Sequence, residues 1–242
     1  GRFLKPRAIT IDDSDQLYIV DTTGRIQVFD TDGNLLRWWS TPETQNGRPT
    51  GLAIRRASES LAGDDVTEGA RLLVADTHYY RVLSYTLDGQ LCPEEQIGGV
   101  AGHSPGEFAF VTDAVCDAQG CYYVGEYSAS DRIQKFDPDG NFITQWGGNG
   151  HQPGQFFRPQ SLVIDDDVLW VADACNHRIQ VFDTEGKLLK LWGTQGGEPG
   201  ELYYPYDLVF LSDGTLCICE YGNHRFQRFT RDGESLGCWG TN

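Results

Sequence analysis

One pattern occurs five times in the 242 residues, and it limits the chain to very few architectures. A short apolar strand follows a proline or its equivalent; a second strand ends in an acid, an arginine opens a third, and a fourth closes near Trp-Gly. The copies begin at Arg2, Arg48, Glu107, Gln155 and Glu201, at intervals of 46, 59, 48 and 46 residues. A period in the forties built from four short strands is the mark of a β-propeller. The cleanest copy, Gln155 to Gly193, alternates apolar pairs with turn residues every six to ten positions. That spacing suits strands and leaves no room for helices. It predicts strands at 160–165, 168–173, 178–183 and 187–193, and single-domain blades at 2–47, 48–106, 107–154, 155–200 and 201–242.

The turns have a chemical reason. Asp32-Gly33, Asp88-Gly89, Asp139-Gly140, Glu185-Gly186 and Asp232-Gly233 separate the third and fourth strands, where glycine supplies the positive φ of a tight hairpin. Trp146, Trp192 and Trp239, with Trp38-Trp39 in the first copy and Ile97 in the second, are expected between neighbouring blades. The longer second interval comes from Ser58 to Gly69, rich in acids and poor in apolar residues, and it reads as a solvated loop.

Charge excludes some functions. With a formal net charge of −16, the chain repels a phosphate backbone, and no lysine or arginine run offsets this, so nucleic acid is not an expected partner. The exception to weigh is a ring of five recurring arginines. No apolar run approaches the roughly 20 residues of a membrane span. The chain opens at Gly1, at a blade boundary, so it looks processed or trimmed and the lack of a secretory signal says little about compartment. Seven cysteines show no Cys-x-x-Cys spacing, which argues against a zinc ribbon. Cys116 and Cys121 flank a hairpin turn and could form a disulfide; otherwise the thiols read as small buried side chains.

The runs VADACNHRIQVFDTEGKLLKLWG, IVDTTGRIQVFDTDGNLL and CEYGNHRFQRFTRDGESL resemble the NHL repeat family over essentially the whole chain. The resemblance implies an all-β propeller of four-stranded antiparallel blades, commonly six, that serves most often as a binding platform. Five repeats therefore imply either an unusual five-bladed ring or a missing sixth blade. A missing blade would leave apolar blade faces for a partner to cover. The chain is also similar to bacterial secreted or lipid-anchored propellers, which implies a periplasmic, extracellular or lipid-anchored location.

Topology selects one end of the blades for a site. The start of strand one, the end of strand two and the loop to strand three lie together, and the residues there that depart from the repeat are the ligand candidates. They are Arg7, Thr50, His78, Asp113, Glu126, Tyr127, Gln160, Tyr206, Asp207, Glu220 and Tyr221. The acids ending strand two, Asp21, Asp76, Glu126, Asp173 and Glu220, each precede an arginine by four to six residues, so a repeated ion pair is expected. Only copies three and five carry two carboxylates at this end. Asp113, Glu126, Asp207 and Glu220 could then hold calcium, since a hard cation needs several oxygen ligands.

An enzymatic alternative also rests on resemblance. The zinc-dependent peptidyl-hydroxyglycine amidating lyases are similar at Ile143 to Leu162, and they place a zinc-binding histidine where this chain has Gln160. An amide is a poor zinc ligand, so zinc is not expected. His177 and His224 read as repeat consensus, His103 and His151 lie in blade connections, and His78 is the histidine to test. The leading expectation is a non-enzymatic platform for a protein, peptide or small ligand. A metal-dependent lyase or hydrolase is the alternative.

Overall fold

The computed structural model describes residues 2–56 and 69–240. The Ser58–Gly69 stretch read as a solvated loop therefore lies, apart from Gly69, outside the described residues. Those residues form five four-stranded antiparallel sheets, the blades of a β-propeller, each ordered as in sequence. Blade one contains β1 (Pro6–Ile11), β2 (Leu17–Asp21), β3 (Arg25–Phe29) and β4 (Leu35–Ser40). Blade two contains β5 (Gly51–Arg55), β6 (Arg71–Asp76), β7 (Arg81–Tyr85) and the two-residue β8 (Ile97–Gly98). Blade three contains β9 (Phe110–Cys116), β10 (Tyr122–Tyr127), β11 (Arg132–Phe136) and β12 (Phe142–Gly147). Blade four contains β13 (Pro159–Asp165), β14 (Val168–Asp173), β15 (Arg178–Asp183) and β16 (Leu188–Trp192). Blade five contains β17 (Pro205–Phe210), β18 (Leu216–Glu220), β19 (Arg225–Phe229) and β20 (Ser235–Trp239). The strands expected in the fourth copy are present within a residue at each end. Among the described residues, three single-turn 3-10 segments, at Thr77–Tyr79, Pro93–Glu95 and Ala174–Asn176, are helical features that strand spacing did not disclose.

The chain divides into two compact units, Gly1–Val124 with Gln134–Ile143, and Gly125–Ile133 with Thr144–Asn242. In the first unit the period of two buries both faces of the second blade. Leu72, Val74 and Leu83 join Tyr18, Val20, Ile26 and Val28 of the first blade. The alternate residues Leu73, Ala75 and Val82 join Phe108, Val111, Val124 and Phe136. A strand buried on both faces has no polar alternation, which is why RLLVAD reads as a continuous apolar run.

In the second unit Trp170, Ala172, Ile179 and Val181 of blade four pack on Leu208, Leu216, Ile218 and Phe229 of blade five. The next face in the series differs: Val209, Phe226 and Trp239 are about half exposed, at 52%, 51% and 53%. In the first unit Ile9 and Ile11 of blade one are also exposed, whereas the corresponding Leu52 and Ile54 of blade two lie in the core.

The tryptophans lock consecutive blades as expected, and the hairpin glycine is their seat. A Cβ on Gly89, Gly186 or Gly233 would lie 2.6 Å, 2.6 Å or 2.7 Å from Trp39, Trp146 or Trp192 of the preceding blade. Each glycine also has a φ between 80° and 100°, so two independent demands exclude a side chain there. Trp38 and Trp239 are the exceptions, each more than half exposed.

Candidate functional site

Strand register fixes what stands at the chosen end. Pro6 pairs with Asp21, Pro159 with Asp173 and Pro205 with Glu220, and in each case the register slips before the next pair. The residue between is left unpaired in a β-bulge, and a bulge re-aims its side chain. Arg7, Gln160 and Tyr206 are those bulge residues. The sequence placed them correctly after the proline, but the bulge itself had no signature.

The acids at the ends of the second strands are structural. Asp21, Asp76, Glu126, Asp173 and Glu220 are buried, and each forms an ion pair with the following arginine: Arg25, Arg81, Arg132, Arg178 and Arg225. Glu220 shows the full pattern. It accepts from Arg225 Nε at 2.6 Å, Asn223 Nδ2 at 2.6 Å, Gln227 Nε2 at 2.7 Å and the Tyr203 amide at 2.9 Å. Arg225 then donates to the carbonyls of Gly197, Glu198 and Glu201, which binds the blade connection to the blade. Arg178 does the same for His151, Gln152 and Gln155. These guanidiniums are committed to carboxylates and carbonyls, so the recurring arginines do not present an open cationic ring.

A buried glutamine column completes this lattice and was missed in the sequence. Gln134, Gln180 and Gln227 donate to the carbonyls of Glu107, Gln155 and Glu201. The repeated Arg-x-Gln spacing, as in RIQ and RFQ, was its available signal. The residue before each arginine, Gly24, Tyr80, Asp131, His177 or His224, has a positive φ. A left-handed residue closes the loop there. His177 adds a hydrogen bond, its Nδ1 accepting the Tyr204 amide at 3.1 Å, and burial holds its imidazole below the ordinary range. The consensus reading of His177 thus has a structural cause.

The departures from the repeat have other surroundings. In the first unit, Thr50 Oγ1 contacts Thr77 Oγ1 at 2.8 Å and donates to the Thr112 carbonyl at 2.8 Å. Asp113 is buried, accepts the Ala114 amide at 2.9 Å, and lies against Gly51, where a Cβ would come 2.5 Å from its Oδ1. His78 rests on Phe110 with ring centroids 5.4 Å apart, while Arg7 is exposed.

In the second unit, the buried Gln160 accepts from Arg158 Nε at 2.8 Å, and the Arg158 guanidinium lies 4.8 Å from the Tyr127 ring centre. Asp131 Oδ1 accepts the Arg158 amide at 2.8 Å, holding a backbone with φ of 65°. Arg158 and Asp131 were not anticipated as site residues. The Tyr206 and Tyr221 rings meet at a 39° tilt with centroids 5.9 Å apart, His224 lies 6.2 Å beyond, and Tyr221 is 67% exposed. Asp207 takes Ser161 Oγ at 2.8 Å and the Leu208 amide at 2.9 Å. It keeps solvent contact, yet enough protein surrounds it that burial pushes its carboxyl above the usual range, ahead of the lowering by Ser161 and Leu208.

The four carboxylates considered for calcium fall into two kinds. Glu126 and Glu220 are held by arginine, so a cation would have to displace a guanidinium already in place. Asp113 and Asp207 are held by neutral donors in the contacts above. Among the described residues the one group of three metal-capable side chains within ligand distance is Cys92, Glu94 and Glu95. Glu95 in that group is engaged by Arg55, Arg71 and Ser84. All seven cysteines are free, Cys116 and Cys121 included, and burial raises the Cys116 thiol to about 12. Among the described residues no helix is long and apolar enough to cross a membrane.

Comparison with known proteins agrees with this geometry. The NHL repeat family matches residues 156–182 and 202–229. The rat peptidylglycine alpha-amidating monooxygenase is 41% identical over 82 residues, which is 31% of this chain and 8% of that protein. The Xenopus laevis enzyme A is 40% identical over 76 residues, again 8% of its length. This chain therefore spans a small part of the curated relatives it matches. Among solved structures, a protein of unknown function from Bacteroides caccae aligns with a TM-score of 0.69 at 14% identity, over 98% of this chain and 81% of that one. A streptogramin B lyase aligns with a TM-score of 0.68 at 16% identity, over 97% and 68%. A catalytically inactive virginiamycin B lyase from Staphylococcus aureus, solved with quinupristin, aligns with a TM-score of 0.67 at 13% identity, over 99% and 71%. At these identities the structural likeness concerns the fold alone.

Proposed function

We propose that this β-propeller, whose residues 156–182 and 202–229 match the NHL repeat, is a non-enzymatic binding platform. Its ligand, a protein, peptide or small molecule, is recognised at the strand-one end of the blades. The observation that carries this reading is the division between the two residue columns. The repeated acids and arginines are consumed in buried pairs, while the position after the proline differs from blade to blade as Arg7, Thr50, Gln160 and Tyr206. A repeat scaffold that keeps one column constant and varies the next is arranged for recognition. Tyr206 and the exposed Tyr221, whose rings meet at a tilt, supply aromatic area, and Asp207 in the same blade supplies a carboxylate.

A test uses wild-type protein and an Asp207→Asn, Tyr221→Ala double variant as bait in extracts of the source cells. A partner retained by the wild type and lost from an equally folded variant supports the platform. A partner retained equally by both removes this end from consideration.

The second reading is a metal-dependent lyase, favoured by the 41% identity over 82 residues to the amidating monooxygenase. Against it stands the buried Gln160 amide, hydrogen-bonded to Arg158 where the lyase resemblance calls for a zinc-binding histidine. Metal analysis of the purified protein separates the readings: stoichiometric zinc favours the lyase. Stoichiometric calcium would return Asp113 and Asp207 to consideration as ligands, with Glu126 and Glu220 only if their arginines yield.

A further inference from the structure

An arginine precedes the strand-opening proline twice, as Arg48 and as Arg158, and the two have different surroundings. Arg158 is fixed by Gln160 and Tyr127. At the position of Gln160, the second blade has Thr50, whose hydroxyl is already engaged with Thr77 and the Thr112 carbonyl. Arg48 is exposed, and among the described residues no hydrogen bond or ion pair holds it. The 2.8 Å contact between Thr50 and Thr77 ties the loop that carries His78 to the chain two residues beyond Arg48.

The His78 ring is held against Phe110, and its Nδ1 is buried without a partner. A buried N–H without an acceptor is costlier than a buried lone pair, so the neutral ring carries its proton on Nε2. Burial first, then the charges of Arg48 and Arg7, hold the imidazole below its ordinary range. The charges of Arg48 and Arg7 thus both reach the His78 ring, in a chain of strongly negative net charge.

We propose that Arg48, Arg7 and the Nε2–H of His78 form a subsite for a small anionic group, a carboxylate or a phosphate, on the ligand of this face. The assignment rests on the platform reading and gives that ligand a charge. Planar guanidinium forks match both oxyanions, and a local cationic cluster attracts them against the field of the whole protein.

The test titrates the whole chain with inorganic phosphate at low ionic strength, following the His78 imidazole by NMR and affinity by calorimetry, with acetate run in parallel. A saturable His78 response to either anion supports the subsite, and the anion that binds tells phosphate from carboxylate. Arg48→Gln should weaken binding about tenfold, the loss expected for one charge-assisted hydrogen bond. Lys187→Gln, the same change of charge at an exposed hairpin residue, should leave it unchanged. No saturable response to either anion, or equal weakening by the two substitutions, overturns the assignment. A platform for an uncharged or cationic ligand would lose a partner in the Asp207 and Tyr221 variant while His78 stayed silent, so the two readings fail separately.

Discussion

Asp207 and Glu220 belong to one blade and differ in every respect that decides a carboxylate's role. Glu220 ends its strand buried, holding Arg225, Gln227, Asn223 and a backbone amide. Asp207 opens the neighbouring strand with solvent contact and two neutral donors, and burial raises its pKa. The first arrangement recurs in all five blades, as Asp21, Asp76, Glu126 and Asp173 show. The second occurs where the blades are individual. Acid at the rim of a propeller is thus two things: a clamp where it repeats with arginine, and a candidate for recognition where it does not.

The largest effect should come from breaking a clamp. Asp173→Ala leaves the buried Arg178 charge without its carboxylate, and a buried pair missing one partner costs about 3–5 kcal/mol. In a chain of this size that lowers the melting temperature by roughly 10 °C, which calorimetry can read. A loss no larger than that of a surface change would mean that the column does not hold the blades.

A smaller loss is expected from Gln160→Ala, about 1 kcal/mol for one partly buried hydrogen bond to Arg158, measured by urea unfolding. Binding of the ligand should fall further than stability does. If stability falls as far as for Asp173→Ala, Gln160 belongs with the clamps.

Tyr221→Ala should move stability least, by about 0.5 kcal/mol or less, because two thirds of the residue is already in solvent. Its effect should appear in partner retention.

Much of this division was legible in the sequence. The turn glycines, the proline starts and the acid-arginine spacing disclosed five blades and the ion pairs, since each depends on a local backbone requirement repeated five times. The fourth-copy strands at 160–165 and 168–173 are recovered as β13 and β14 almost residue for residue. The bulge after the proline was not legible, because it depends on pairing with a strand whose register the sequence does not print. Neither was the Arg158 bridge between Tyr127 and Gln160, a contact between blades set by packing. The calcium grouping of Asp113, Glu126, Asp207 and Glu220 rested on strand ends alone. It could not distinguish a carboxylate committed to arginine from one that keeps a neutral neighbour.

Thermal unfolding of Glu220→Gln and Asp207→Asn side by side between about pH 4 and pH 8 separates a clamp from a recognition carboxylate. A carboxyl whose pKa is raised on folding destabilises the folded state at neutral pH, and that penalty disappears as pH falls toward its unfolded value. Asp207→Asn should melt at or above wild type at neutral pH, with any gain vanishing near pH 4, while Glu220→Gln should lose about 3 kcal/mol at neutral pH. Equal losses in the two variants at neutral pH would contradict that division.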